Sequence, residues 1–219
     1  METLLFYVLF GVVCLIIGAF PTGYIIVKIS KSDNVFAIGN GNPGLNNIKD
    51  NLGGHLSVML GITDFIVKII IPRFILFTAA AYQIIDSIPV WLILYGMLWV
   101  IIGNSWSMFS KFKGGRSIYI LFTSLLVLDF SAWMWVLGIP IVRKIFKIDS
   151  APIALVGITL LFVYYWGDTN EMFVSSLIIS VIALKRVVGN GVGTTLKKGN
   201  HLRLLVRLIY DRDERASNK

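Results

Sequence analysis

Long apolar runs recur along this chain from end to end, and they restrict its fold more than any other feature. Seven can be drawn, at roughly residues 4–27, 55–82, 88–103, 117–131, 132–146, 151–166 and 170–185. A hydrocarbon core about 30 Å thick takes about 20 residues of helix, so runs of this size read as membrane spans. The mean hydropathy is +0.79 and 15% of the residues are charged, where a soluble domain carries about a quarter. We therefore expect an all-α integral membrane protein of about seven transmembrane helices. Residues 1–186 form one polytopic domain. Residues 187–219 make a basic tail, in which Leu202, Leu205, Leu208 and Ile209 line one side of a possible amphipathic helix on the inner membrane surface.

The net charge of +8 would suggest nucleic acid in a soluble protein. Here the basic residues lie between or after the apolar runs, where topology and anionic lipid explain them, and no nucleic-acid partner is expected. With the N-terminus outside, the inner loops and tail hold 18 of the 20 Lys and Arg residues, while Asp86, Asp129, Asp168 and Glu171 fall outside. Positive-inside sorting then gives seven spans, N-out and C-in, in the cell (inner or plasma) membrane. The residue charged before the first run is Glu2; a cleaved signal peptide opens on positive charge, so the first helix is expected to stay. Cys14, the sole cysteine, reads as a small apolar side chain.

Two polar stretches interrupt the runs. Gly39 to Asn47 reads G-N-G-N-P-G-L-N-N, with Lys28, Lys31 and Lys49 on either side. Lys111-Phe112-Lys113-Gly114-Gly115-Arg116 repeats the recipe after a later run. Glycines let backbone N–H groups approach an anion, Asn amides add donors and lysines add charge, a combination suited to phosphate. The alternative for the first stretch is a plain connecting loop. Its G-x-G-x-x-G spacing is no dinucleotide fingerprint, because no strand precedes it. Asp64 and Lys68 stand four apart inside the second run, where one helix face can pair them. A purely structural pair and a part in the site both remain open.

These features occur in the order, and at the spacing, of a known family. Gly18-Ala19-Phe20-Pro21-Thr22-Gly23-Tyr24, Ile38 to Gly44 with Asn47, and Gly103 followed by Phe109, Phe112-Lys113-Gly114-Gly115 and Arg116 resemble motifs of the bacterial acyl-phosphate:glycerol-3-phosphate acyltransferases. That resemblance implies a seven-helix membrane enzyme, N-out and C-in, with its motif loops on the cytoplasmic face. It implies acyl transfer from acyl-phosphate to glycerol 3-phosphate, giving lysophosphatidic acid and phosphate for phospholipid synthesis, with no metal or cofactor. Lys113 and Asn42 would be the catalytic groups. Gly39, Asn40, Gly41, Gly44, Asn47, Asn104, Gly114, Gly115 and Arg116 would bind substrate phosphate.

The chain departs from the motifs at several places. Asn40 replaces a serine, Phe36 an arginine, Asn104 a histidine, Ser107 a proline and Arg116 a lysine. In the third motif, aligning Lys185-Arg186 puts Ser180 and Ala183 where histidine and asparagine belong, and its glutamate has no counterpart. A catalytically degenerate relative that binds lipid or a phosphorylated metabolite is therefore the alternative. A small transporter using Asp64 and Lys68 is a further one, although no internal repeat supports it.

Overall fold

The computed structural model describes residues 2–31, 33–128 and 166–189, with residues 145, 156, 159, 163 and 208 besides. The expected spans 132–146 and 151–166 and the tail beyond residue 189 lie almost wholly outside the described residues. Every regular element among the described residues is helical. The helices are α1 (Glu2–Ala19), α2 (Thr22–Lys31), α3 (Leu45–Leu52), α4 (Gly54–Phe65), α5 (Ile71–Ala81), α6 (Val90–Ser105), α7 (Ile118–Leu128) and α8 (Thr169–Val188).

The first apolar run is broken rather than continuous. Pro21 lacks an N–H and pushes the residue before it out of the helical region, so α1 ends at Ala19 and α2 begins at Thr22. The second run has no such break. A single π turn, Ile66–Ile70, joins α4 to α5 in one rod. Among the described residues two stretches, Thr3–Lys31 and Val90–Ser110, are long and apolar enough to cross a bilayer. On α1, Leu5, Leu9, Val12 and Ile16 point outward and are exposed, a face that lipid rather than protein would cover.

Helices α1 and α6 approach closely because small residues face each other. A Cβ at Gly18 would run into the Val100 backbone, and one at Gly103 into the Leu15 carbonyl oxygen and the Ala19 nitrogen. Phe10 fills the notch left by Gly96. Without a hydrophobic drive between lipid-solvated helices, such close packing is what holds them together. Gly103→Val should therefore destabilise the protein by at least the upper end of the about 1–3 kcal/mol typical of overpacking, read as a lower melting midpoint in detergent. An unchanged midpoint would contradict this interface.

Around that pair the buried core runs through Leu92, Leu94 and Ile101 of α6 to Leu121 and Leu125 of α7 and Ile178 and Ile182 of α8. A second, smaller core of Val27, Val35, Ile48, Leu56 and Leu60 lies beneath the segment between α2 and α4. It fixes that polar segment to the ends of the helices.

Candidate functional site

The first polar stretch is a loop built by its own asparagines. Gly39 and Gly41 take left-handed backbone angles, φ +53° and +71°, which glycine adopts at no steric cost. A side chain at Gly39 would strike the Asn47 carboxamide. Asn47 is buried: its Nδ2 donates to the Ile38 carbonyl at 3.0 Å, and its Oδ1 accepts from the Asn40 N–H and from Asn51 Nδ2, both at 3.1 Å. Asn40 Oδ1 in turn accepts from the Asn42 N–H at 3.0 Å. Gly44 then opens α3 in extended conformation. Asn42 Oδ1 is shielded from solvent and has no hydrogen-bond partner.

The second stretch is tied to the end of α6. The Ser107 hydroxyl donates to the Ala19 carbonyl, and the Ser107 carbonyl accepts from the Ser110 and Phe112 N–H groups. Lys111 and Phe112 are left-handed, at φ +53° and +59°, so the chain turns sharply back. A Cβ at Gly114 would collide with the carbonyl oxygens of Asn104 and Ser105. The Gly115 N–H donates to the Asn104 carbonyl at 2.9 Å. Only glycine lets the backbone lie that close.

The two loops meet. They wall a cavity of about 340 Å³ to which Asn40, Asn42, Gly44 and Asn47 contribute from one side and Lys113, Gly114, Gly115 and Arg116 from the other. Gly39 and Gly41 shape the first loop without lining it. The Lys113 ammonium stands 6.0 Å from the centre of the Phe36 ring, itself stacked on Tyr24 at 6.0 Å. Phe20, Ile118, Ile120 and Phe122 line the apolar part of the wall. Polar and cationic groups of the kind that suit phosphate thus share one cavity with an apolar wall.

At the floor lies a buried polar network. Asp64 and Lys68 form the ion pair expected from their spacing, at 2.7 Å. Lys68 also donates to Thr22 Oγ1 at 3.0 Å and to Asn104 Oδ1 at 2.7 Å, while Thr22 donates to Asp64 at 2.5 Å. All three ammonium protons are therefore engaged. Asn104 passes the network on through Nδ2 to Ser117 Oγ at 2.8 Å. Thr22, Asp64, Lys68, Asn104 and Ser117 all face the cavity. Among the described residues no cluster of three or more His, Cys, Asp and Glu side chains could hold a metal ion.

The comparisons with known proteins follow the same lines. A family model described as glycerol-3-phosphate acyltransferase matches residues 8–192. The chain belongs to that family. It is accordingly an acyltransferase, of the glycerol-3-phosphate type. A glycerol-3-phosphate acyltransferase of Prochlorococcus marinus (strain NATL1A) is 23% identical over 205 residues, covering 90% of this chain and 92% of its own. One from Nostoc sp. is 31% identical over 136 residues, 58% of this chain and 60% of its own. The fold matches the crystal structure of PlsY, an integral membrane glycerol 3-phosphate acyltransferase in its glycerol 3-phosphate form. The TM-score is 0.68 at 20% identity, covering 91% of this chain and 98% of that one.

Some residues of this acyltransferase's site carry little signal in sequence. Thr22 falls in the Gly18–Tyr24 stretch that carries the resemblance but is given no role there, and its bonds reach across 42 and 46 positions. Ser117 is a single hydroxyl next to the Lys-Gly-Gly turn. Lys185 and Arg186, the pair aligned with the third motif, lie outside the cavity wall and are fully buried on α8, with Lys185 5.4 Å from the centre of the Trp106 ring. Lys185 thus sets the C-terminal end of α8 against the end of α6, and Arg186 donates to the Leu208 carbonyl at 3.2 Å. His55 is exposed and outside the cavity wall, and His201 lies outside the described residues.

Proposed function

We propose that this acyltransferase moves an acyl group from an acyl-phosphate to the 1-hydroxyl of glycerol 3-phosphate, giving lysophosphatidic acid and inorganic phosphate. The supporting observation is the cavity in which two Gly-, Asn- and Lys-bearing loops, some 70 residues apart, close over a partly apolar wall. The forms in which PlsY was crystallised, with glycerol 3-phosphate and with lysophosphatidic acid, agree with this choice of acceptor and product. In this reading both phosphates bind at the loop end, and the acyl chain runs toward Ile120 and Phe122.

Attack of the acceptor hydroxyl on the acyl carbonyl breaks the carbonyl–phosphate C–O bond, and phosphate leaves with the electron pair. Lys113, the Asn42 amide and the loop N–H groups stabilise the charge that develops on it. The hydroxyl proton passes to substrate phosphate or to water. The enzyme's contribution is then the positioning of two substrates and the stabilisation of charge, without a nucleophile of its own. Phosphate release by the purified protein, given acyl-phosphate and glycerol 3-phosphate, tests this directly. No release with any acyl-phosphate and acceptor would favour the non-catalytic relative.

The same reading sets the loops on the cytoplasmic face of the plasma membrane, in a multi-pass protein of seven spans, N-out and C-in. The charge asymmetry of the loops supports it. A cysteine at the exposed Lys111, in a Cys14→Ser background, should react with an impermeant thiol reagent in inverted vesicles and stay protected in intact cells. Labelling from outside intact cells would reverse the topology.

A further inference from the structure

The loop that carries Lys113 and Arg116 is closed at both ends on one residue. The Asn104 carbonyl oxygen accepts from the Gly115 N–H at 2.9 Å, and its side-chain Nδ2 donates to Ser117 Oγ at 2.8 Å. Ser117 has φ +60°, a backbone conformation that costs a non-glycine residue free energy and persists only when its surroundings enforce it. The Ser117 hydroxyl supplies that enforcement through Asn104, the Ser105 hydroxyl at 3.1 Å and the Ile101 carbonyl at 3.3 Å. The carboxamide of Asn104 cannot turn over, because Lys68 donates to its Oδ1 at 2.7 Å. Lys68 is 3% exposed and is itself fixed by Asp64 and Thr22.

We propose that Asn104 is a positioning residue in this chain. Backed by Lys68, it clamps the loop 104–117 and so sets where Lys113 stands over the cavity. The proposal rests on the acyl-transfer reading for its kinetic consequence, but the clamp itself is a statement about the loop. An amide offers an acceptor to Lys68 and a donor to Ser117 together, without any change of protonation state.

Two measurements test it. In the first, a spin label at Lys111→Cys, in the Cys14→Ser background, reports loop order without reference to turnover. Lys111 is exposed and outside the cavity wall. The label should become distinctly more mobile with Asn104→Leu or the milder Ser117→Ala, at an unchanged melting midpoint for the latter. Equal mobility in Ser117→Ala and the parent would overturn the clamp.

The second is a kinetic cycle with Lys113→Ala. Misplacing a reacting constellation by about 1 Å costs on the order of 10² in rate, so Asn104→Leu should lower kcat by about that factor. If Asn104 acts through Lys113, the double variant should turn over no more slowly than Lys113→Ala alone, because residues acting as a unit are not additive. Asn104→Asp, which keeps the acceptor for Lys68 but loses the donor to Ser117, should fall between. Additive losses in the cycle would overturn the positioning role. Absence of phosphate release by the parent protein would instead count against the acyl-transfer reading, while the spin label would still decide the clamp.

Discussion

Lys113→Ala should reduce turnover by about 10²–10³, the usual consequence of removing one preorganised contact to developing charge. The side chain is exposed and rests on the Phe36 ring at 6.0 Å rather than in an ion pair. Its charge is therefore not neutralised by a nearby carboxylate, and swinging it onto a phosphate requires no buried bond to break. Because its interaction grows as the leaving phosphate gains charge, the loss should fall mainly on kcat rather than on the KM for glycerol 3-phosphate. Lys113→Arg should recover part of it. His55→Ala is the control: His55 is exposed and not part of the cavity wall, and turnover should be unchanged. A large loss on removing His55, with Lys113→Ala near parental activity, would move the chemistry elsewhere.

Lys68→Met should be the most destabilising single change in the site. It leaves the Asp64 carboxylate buried without its cation, and breaking one side of a buried pair costs about 3–5 kcal/mol. It also orphans Asn104 Oδ1, which then bears its own desolvation penalty, and removes the bond that Thr22 Oγ1 accepts, leaving Thr22 the one it donates to Asp64. The double variant Asp64→Leu with Lys68→Met removes both charges and should recover much of the melting midpoint, since an apolar replacement for a buried pair is often neutral or stabilising. Thermal unfolding in detergent measures both. A double variant no more stable than Lys68→Met would show that the pair is not what stabilises the floor of the cavity. The recovered protein should nevertheless remain poorly active, because Asn104 would have lost its anchor. That separation of stability from activity distinguishes the pair's two contributions.

The histidine of the resembling family's second motif and its third-motif carboxylate have no equivalents at matched positions in this chain, yet the cavity is not without an acid. Asp64 reaches its floor from within the second apolar run. It is engaged by Thr22 and Lys68 at 2.5 and 2.7 Å, so its negative charge is held toward the protein's own cation. This arrangement favours a structural use of the carboxylate over proton abstraction. The question left open by the i,i+4 spacing thus has a geometric answer: the two residues pair on one helix face, and through Lys68 the pair also holds the Asn104 amide at the cavity floor.

Much of this was legible in the residues themselves. Apolar runs of helical length determined an all-helical membrane protein, since a run such as 88–103 with no charge in it has few other ways to be satisfied. Their boundaries agree with α6 and α8 to within a few residues. The Gly–Asn and Lys–Gly–Gly stretches declared their chemistry by composition, and Asp64 and Lys68 declared their pairing by a spacing that lies within one helical turn. These are local properties. Helix period, turn propensity and charge spacing act over a handful of residues and are written where they operate.

What only the tertiary structure decided was which of these local pieces meet. Nothing near Thr22 indicates that Pro21 breaks the first run so as to set its hydroxyl against a carboxylate 42 residues later. Nothing near Asn104 indicates that its amide faces Lys68 on one side and Ser117 on the other. Gly114 reads as a glycine for phosphate binding until the Asn104 and Ser105 carbonyls are seen to leave no room for a Cβ. Each of these contacts depends on helices α1 and α6 packing through glycines, α4 running as one rod through its π turn, and the second core fixing the first loop. The free energy that brings them together comes from apolar packing spread over many residues, and the polar partners are chosen by the geometry that packing imposes. A sequence records the partners, and the packed helices select the pairs.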